Sequence, residues 1–179
     1  MEYFDLLDEN GNKIGATKLR NEVHQDGDWH RTAHIWIIDK NGNVLLQRRS
    51  ATKDSKPNML DISCAGHLIA GDNPLAGAIR ELKEELNLDV APNELHYIKT
   101  EKHSSRYSNS FINNEFSDIY ILITDKTLSD MKYQKDEISE IMFVPYEKLK
   151  TMISSKQPDL VLTKESCEVL FEYFDNPTF

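Results

Sequence analysis

The sequence predicts an α/β fold in which a mixed sheet lies between helices. Three observations carry that expectation: two Asn-Gly turns flanked by strand-like segments, a nearly unbroken apolar run at Ile119-Tyr120-Ile121-Leu122-Ile123, and a stretch after Pro74 whose apolar residues recur at three- and four-residue steps. The 179 residues suit a single domain, 1–179.

Taken in order, residues 1–20 read as a β-hairpin, with strands at 3–7 and 13–18 around Asn10-Gly11. A second hairpin joins 33–38 to 44–49 through Asn41-Gly42; its β-branched and aromatic arms place it near the centre of the sheet. Residues 50–58 are polar and basic and read as a loop, followed by a short strand at 60–65 and a connector at 66–73. A helix is predicted over 74–86. Pro74 suits its first turn, Asp72 or Asn73 its cap, and Asn87 the left-handed residue that ends it, while Leu75, Ala78, Ile79, Leu82 and Leu86 form one apolar stripe. Strands are predicted at 95–101, 116–124 and 141–144, with a polar loop at 103–114. A short helix should run from Pro145 to Met152, and a C-terminal helix spans 163–174. The stripe of Val169, Leu170, Tyr173 and Phe174 on that last helix is core or a subunit contact, the latter allowing a homodimer.

Composition excludes several classes. With 21 Lys plus Arg against 30 Asp plus Glu, the net charge of −9 repels a nucleic-acid backbone, so no nucleic-acid partner is expected. No apolar run approaches the roughly 20 residues of a membrane span, and the start Met1-Glu2-Tyr3-Phe4-Asp5 is acidic, so a cytoplasmic protein without a membrane partner is expected. Cys64 and Cys167 have no Cys-x-x-Cys spacing and are expected to be reduced.

The chemistry concentrates on the 74–86 helix. Glu81, Glu84 and Glu85 stand at i, i+3 and i+4, away from the apolar stripe, where like charges repel by about 0.2–0.5 kcal/mol per pair. A hard divalent cation with oxygen ligands would remove that conflict. Alone, the three carboxylates would read as a solvated acidic face. The surroundings change this: Gly66, Asp72 and Arg80-Glu81-Leu82-Lys83-Glu84-Glu85-Leu86-Asn87-Leu88 closely resemble the Nudix box of the Nudix hydrolases, here 66–88. At average residue usage, the Gly, Arg and three Glu coincide by chance on the order of once in a million starting points. Asp72 replaces the family's Glu and Asn87 its Gly, changes that keep the charge and the turn.

The resemblance implies an α/β/α sandwich and hydrolysis of a diphosphate linkage in a small molecule, a nucleoside diphosphate derivative being favoured, with Mg2+ or Mn2+ as cofactor. Carried over by position, Glu81, Glu84 and Glu85 match metal-binding carboxylates, Gly66 the glycine whose carbonyl faces the metal, and Arg80 the arginine that orients the carboxylates. Candidate general bases are Glu84, Glu115 and Glu137. Arg48, Arg49, Lys53 and Lys56 form either a positive rim that receives the substrate phosphates or a solvated hairpin end. Trp36, Tyr107 and Phe111 are the aromatic candidates for contact with the substrate's organic group.

A second likeness covers about residues 23–115. His24, His30, Leu45-Leu46-Gln47-Arg48-Arg49-Ser50, Lys56-Pro57 and Cys64-Ala65-Gly66-His67 resemble the type I isopentenyl diphosphate isomerases, a branch of the same fold. That likeness implies an alternative site in which Cys64 and Glu115 exchange protons with an isoprenoid double bond and His24, His30 and His67 hold a metal. Three departures weigh against it. Asn113 replaces a metal-binding glutamate, the Cys-to-His spacing is one residue longer, and the Arg-Glu-x-x-Glu-Glu cluster that the isomerases have largely lost is intact. Hydrolase is therefore the first expectation, isomerase the second, and a non-catalytic diphosphate-binding module the third.

Overall fold

The computed structural model describes residues 1–53 and 55–176. The first hairpin is present as β1 (Tyr3–Leu7) and β2 (Lys13–Leu19), antiparallel to each other. A short helix that the sequence pattern does not announce follows, α1 (Arg20–Asp26). Its first turn is held by Glu22, whose carboxylate accepts the Leu19 N–H, and it stops at Gly27, where φ is +73°. At seven residues it is too short for a periodic signal to stand out.

The central strands are β3 (Trp29–Asp39) and β4 (Asn43–Arg49). They pair at Ile38↔Val44 beside their turn. β3 runs parallel to β8 (Phe111–Thr124) from Trp29↔Asn114 to Asp39↔Thr124, whereas β4 pairs antiparallel with β9 (Ile138–Pro145). The single strand expected at 60–65 is two: β5 (Leu60–Asp61) pairs with β4 and β6 (Cys64–His67) with β3. Ser63 occupies the switch, its hydroxyl accepting the Ile37 N–H at 2.9 Å and donating to the Leu45 carbonyl at 2.6 Å. A buried hydroxyl thus satisfies both strands where the direct ladder is lost.

The segment expected as a loop, 103–114, is instead the outer half of a long hairpin of β7 (Leu95–Ser108) and β8. Its polar residues pair across the ladder, Ser104 Oγ donating to Asn114 Oδ1 at 2.7 Å. Polarity here marks strands that project along the cleft described below.

The helix α2 spans Pro74–Leu86 as the sequence indicates. Asn73, rather than Asp72, is the cap, its side chain accepting the N–H groups of Leu75 and Ala76 at 3.1 and 3.4 Å. Asn87 closes the helix at φ +54°. After β9 come α3 (Tyr146–Ser154), a 3-10 turn at Glu165–Cys167 and α4 (Glu168–Asp175), so the expected helix 163–174 begins as a tighter turn.

Alternation along the strands builds two cores. Trp36, Ile38, Val44, Leu46 and Ile121 face α3 and α4, packing on Leu149, Met152, Val169 and Leu170. Ala33, Ile35, Ile37 and Leu45 face α2, packing on Ala78, Leu82 and Leu86. This is the expected sandwich with a mixed sheet between helices. The α4 stripe is resolved as core, since Val169 and Leu170 are buried and Phe174 stacks on Tyr146 with ring centroids 3.8 Å apart. Among the described residues no helix is long and apolar enough to cross a membrane.

Candidate functional site

A cleft of about 540 Å³ opens on the α3/α4 side of β3, bounded by β6, the outer part of the β7–β8 hairpin and the carboxylates of α2. The α2 face opposite the apolar stripe is largely buried: Glu81 and Glu85 are 8% and 6% exposed, and Glu84 alone of the three is open. Burial pushes both buried carboxyls up to about 7, and for Glu85 the neighbouring Glu81 charge adds to it. Arg80 braces the group. Its Nη1 contacts Glu81 Oε1 at 2.8 Å and Glu84 Oε2 at 2.9 Å, and its Nη2 donates to Asp72 Oδ2 and the His67 carbonyl. The Asp72 carboxylate therefore serves Arg80 and the connector, not the helix cap.

Gly66 lies directly against this cluster: a Cβ added there would overlap the Glu81 carboxyl. A glycine lets the backbone of β6 and the glutamate come together. The donor set fits a hard divalent cation, since two buried carboxylates with raised pKa values stand beside an open third. The Gln47 side-chain amide donates to Glu85 Oε2 at 3.5 Å.

Of the four basic candidates, two reach the cleft. Arg49 lines it while bonded to Asp61 at 2.9 Å, and Lys53 lines it paired with Glu137, which also borders the cleft. Arg48 is turned away, spanning Glu140, Asp159 and the Asn58 carbonyl, and Lys56 is exposed outside the cleft in a left-handed turn. β-strand alternation separates Arg48 from Arg49. The cleft also contains Arg20, from the unanticipated α1, bonded to Glu2 at 2.9 Å. Its signal in the sequence is its place one helical turn before His24, legible only once α1 is known. Trp36, Tyr107 and Phe111 all border the cleft, Trp36 almost wholly buried.

The opposite end holds a histidine group. Ring nitrogens of His24, His30 and His67 lie within 4.8 Å of one another. His24 Nδ1 and His30 Nδ1 bond the backbone carbonyls of Arg20 and Asp28 at 2.7 and 3.1 Å, which turns their Nε2 atoms inward. His30 Nε2 and His67 Nε2 stand 3.8 and 3.7 Å from Glu115 Oε1, beyond hydrogen-bond range. Those two nitrogens and Asn113 Oδ1 are buried without a hydrogen-bond partner among the described residues. Phe4 from β1 stacks on His67 at 4.8 Å and Phe111 on His24 at 4.7 Å, fixing the ring planes. Burial holds His67 well below its ordinary value, leaving a neutral imidazole with a lone pair to offer. Burial opposes ionisation of Glu115 as well, but the histidines around it, His30 first, hold its carboxyl below the usual range.

Strand parity decides the remaining pair. Glu115 lies opposite His30 and shares the cleft face with Thr32 and His34, whereas Cys64 lies opposite Ile35, on the α2 face. Cys64 and Glu115 thus point to opposite sides of the sheet and do not meet; the β6 residue beside His34 on the cleft side is Ala65. Three positions apart on β6, Cys64 and His67 face opposite sides of the sheet by strand alternation.

A family model described as NUDIX domain matches residues 28–163. The chain belongs to the Nudix family of hydrolases. Nudix hydrolase 3 of Arabidopsis thaliana is 41% identical over 164 residues, covering 89% of this chain but 21% of that protein's length. Isopentenyl-diphosphate Delta-isomerase 2 of Photorhabdus laumondii is 31% identical over 159 residues, covering 89% of this chain and 85% of that one. Among solved structures, a protein from Deinococcus radiodurans superposes with a TM-score of 0.71 at 23% identity over 96% of this chain and 99% of that chain, a likeness of fold. This Nudix chain therefore resembles both a named hydrolase and a named isomerase, and its own site has to separate them.

Proposed function

We propose that this Nudix protein is a cytoplasmic, metal-dependent hydrolase that cleaves a diphosphate linkage in a small molecule, a nucleoside diphosphate derivative being the favoured class. The observation that carries the reading is the intact Arg80-braced cluster of Glu81, Glu84 and Glu85 at the mouth of the cleft, while Cys64 and Glu115 face opposite sides of the sheet. Glu81, Glu84, Glu85 and the Gly66 carbonyl hold the Mg2+ or Mn2+. When bound, such an ion spreads the diphosphate's negative charge and stabilises the leaving phosphate.

The chain's own residues do the rest. Arg49, Lys53 and Arg20 attract the phosphate oxygens into a cleft otherwise rich in carboxylates. Arg80 keeps Glu81 and Glu84 oriented through its paired nitrogens. Hydrolysis forms a P–O bond from water and breaks the bridging P–O bond, and the proton lost by water goes to a carboxylate: Glu84, Glu115 or Glu137, all of which border the cleft. His24, His30 and His67, with Glu115, form a second donor set suited to a softer cation than magnesium.

The test is a panel of nucleoside di- and triphosphates, nucleotide sugars, dinucleotides and isopentenyl diphosphate with Mg2+, reading phosphate products and double-bond migration. Phosphate or nucleotide release abolished by chelator is the expected outcome. Isomer formation without phosphate release overturns the reading.

A further inference from the structure

We propose that Lys53 latches Glu137 and that a diphosphate opens the latch: the substrate takes the Lys53 ammonium, and the freed Glu137 carboxylate accepts the proton of the attacking water. The inference rests on the hydrolase reading above and selects one general base from its three candidate carboxylates.

Among the described residues, each Lys or Arg bordering the cleft is already paired with a carboxylate that borders it too: Arg20 with Glu2, Arg49 with Asp61 and Lys53 with Glu137. A phosphate therefore enters by displacing a carboxylate, and the three pairs differ in how readily they part. Arg49 is fixed: Nη1 reaches Asp61 at 2.9 Å, Nε donates to the Ser55 carbonyl at 3.0 Å and Nη2 to Ser55 Oγ at 3.2 Å. The Arg20 pair is open but sits one turn before His24, at the histidine end. Lys53 brings a compact ammonium on a flexible stem to the carboxylate end, and the side chain of its partner Glu137 is 38% exposed. An ion pair that open is weak, whereas a diphosphate offers several charged oxygens to one ammonium. The backbone under Glu137 is anchored on both sides. The Gln134 N–H donates to the Glu85 carbonyl at 3.0 Å, docking the loop on the end of α2. Buried Ser50 grips the other side, its N–H donating to the Glu137 carbonyl at 2.9 Å and its hydroxyl to the Asp136 carbonyl at 2.7 Å. Of the rival bases, Glu84 is turned to Arg80 beside the metal carboxylates, and Glu115 stands among the histidines at the far end. In the hydrolytic step the water oxygen forms the new P–O bond, its proton passes to Glu137, and the bridging P–O bond breaks with its electron pair on the departing phosphate.

The experiment uses the full chain and its Glu137→Gln, Lys53→Met and doubly substituted variants, with methylenediphosphonate, a diphosphate analogue that cannot be hydrolysed at its bridge, as the binding probe. Both side chains are partly exposed, so the variants should fold, which melting temperature in chelator checks. Isothermal titration calorimetry in Mg2+ should show Lys53→Met binding the probe at least about tenfold more weakly, the loss of a charge-assisted hydrogen bond. Glu137→Gln should bind it about two- to fivefold more tightly, the fold-change equivalent of an exposed ion pair, and should have no effect in the Lys53→Met background. Equal tightening in both backgrounds overturns the latch, because it reports only the removal of a negative charge from the cleft; so does unchanged probe affinity in either single variant. Turnover is read on each compound of the panel above that the parent hydrolyses, and Glu137→Gln should lower kcat there at least about a hundredfold. Tighter probe binding together with lower kcat is a combination that a merely structural role does not produce. A parent-like kcat in Glu137→Gln, or loss of its Mg2+ affinity measured without the probe, overturns the base assignment. No Mg2+-dependent release from any panel compound by the parent overturns the hydrolase reading and the inference with it.

Discussion

Substituting Glu85 by Gln should make the metal-free protein more stable at alkaline pH and unable to respond to magnesium. Folding buries the Glu85 carboxyl and raises it from 4.5 to about 7. A carboxylate raised on folding binds more protons in the native state than in the unfolded chain between those values, so native stability falls as pH rises from 4.5 through 7. At about 1.4 kcal/mol per pKa unit, the full loss above pH 7 is about 3 kcal/mol. Glutamine has a similar shape and does not titrate. The two proteins should therefore melt alike near pH 5 and diverge as pH rises, with Glu85→Gln ahead by about 6–12 °C at pH 8 for a chain of this size. Taking the variant-minus-parent difference cancels the opposing rise that His24, His34 and His67, each held below its ordinary value by desolvation, give both proteins as pH increases. Magnesium at one thousand times its Kd reverses the order, because binding then adds about 4.1 kcal/mol to the parent and nothing to a chain lacking the ligand. The assay is differential scanning calorimetry from pH 5 to 8 with chelator or Mg2+. A pH-independent difference, or equal magnesium stabilisation of both proteins, would refute the reasoning that Glu85 is a buried carboxylate awaiting a cation.

Further outcomes follow from other contacts. Glu84 is exposed and its i,i+4 pair with Arg80 contributes at most about 1 kcal/mol, so Glu84→Gln should lower turnover at least a hundredfold while the melting temperature stays nearly constant; unchanged metal-dependent activity would remove Glu84 from the site. Asn73→Ala removes the α2 cap and should cost about 1 kcal/mol, whereas Asp72→Ala, which releases Arg80, should affect magnesium affinity more than the helix; equal thermal shifts with equal affinities would contradict that division. Gly66→Ala should sharply weaken magnesium binding because its Cβ displaces the Glu81 carboxyl, and calorimetry showing parent-like affinity would mean that β6 and α2 can separate at no cost. His67→Ala should weaken the binding of Mn2+ or Zn2+ at the histidine group but spare Mg2+ at the carboxylates, and loss of both together would show one shared site.

Where local chemistry and long-range packing coincide, the fold is readable from the chain. α2 carries its own proline start, cap, apolar stripe and left-handed stop, and its bounds match expectation residue for residue. The outer β7–β8 hairpin is not readable, because its residues alternate between cleft and solvent and neither face is apolar; its strands exist through pairing to each other. α1 escapes notice for want of length, and with it the placement of Arg20. The burial of Glu81 and Glu85 is hidden for a different reason. Helical spacing shows that the glutamates are neighbours, but their depth depends on β6 lying close enough to cover them, a contact that needs Gly66 and the Ser63 switch between β4 and β3.

Face parity is where a single residue changes the chemical conclusion. In Cys64-Ala65-Gly66-His67 the strand alternates, so the cysteine and histidine, three positions apart, must point to opposite sides. A shared cleft would require an even spacing. The histidine faces the cleft near Glu115, and the cysteine packs against α2 with Ala78, Leu82 and Leu86. The same residue types that resemble an isomerase's proton-transfer pair are thereby divided between two layers of the sandwich, Glu115 in the cleft and Cys64 against α2. Restoring the shorter spacing by Ala65→Cys would put a thiol on the cleft side beside His34 and His67, and accessibility to a thiol reagent would report it. The Ala65→Cys variant is expected to gain one reactive thiol while Cys64 stays inert in both proteins; a reactive Cys64 in the parent chain would show that the strand register, and the division of labour built on it, is wrong.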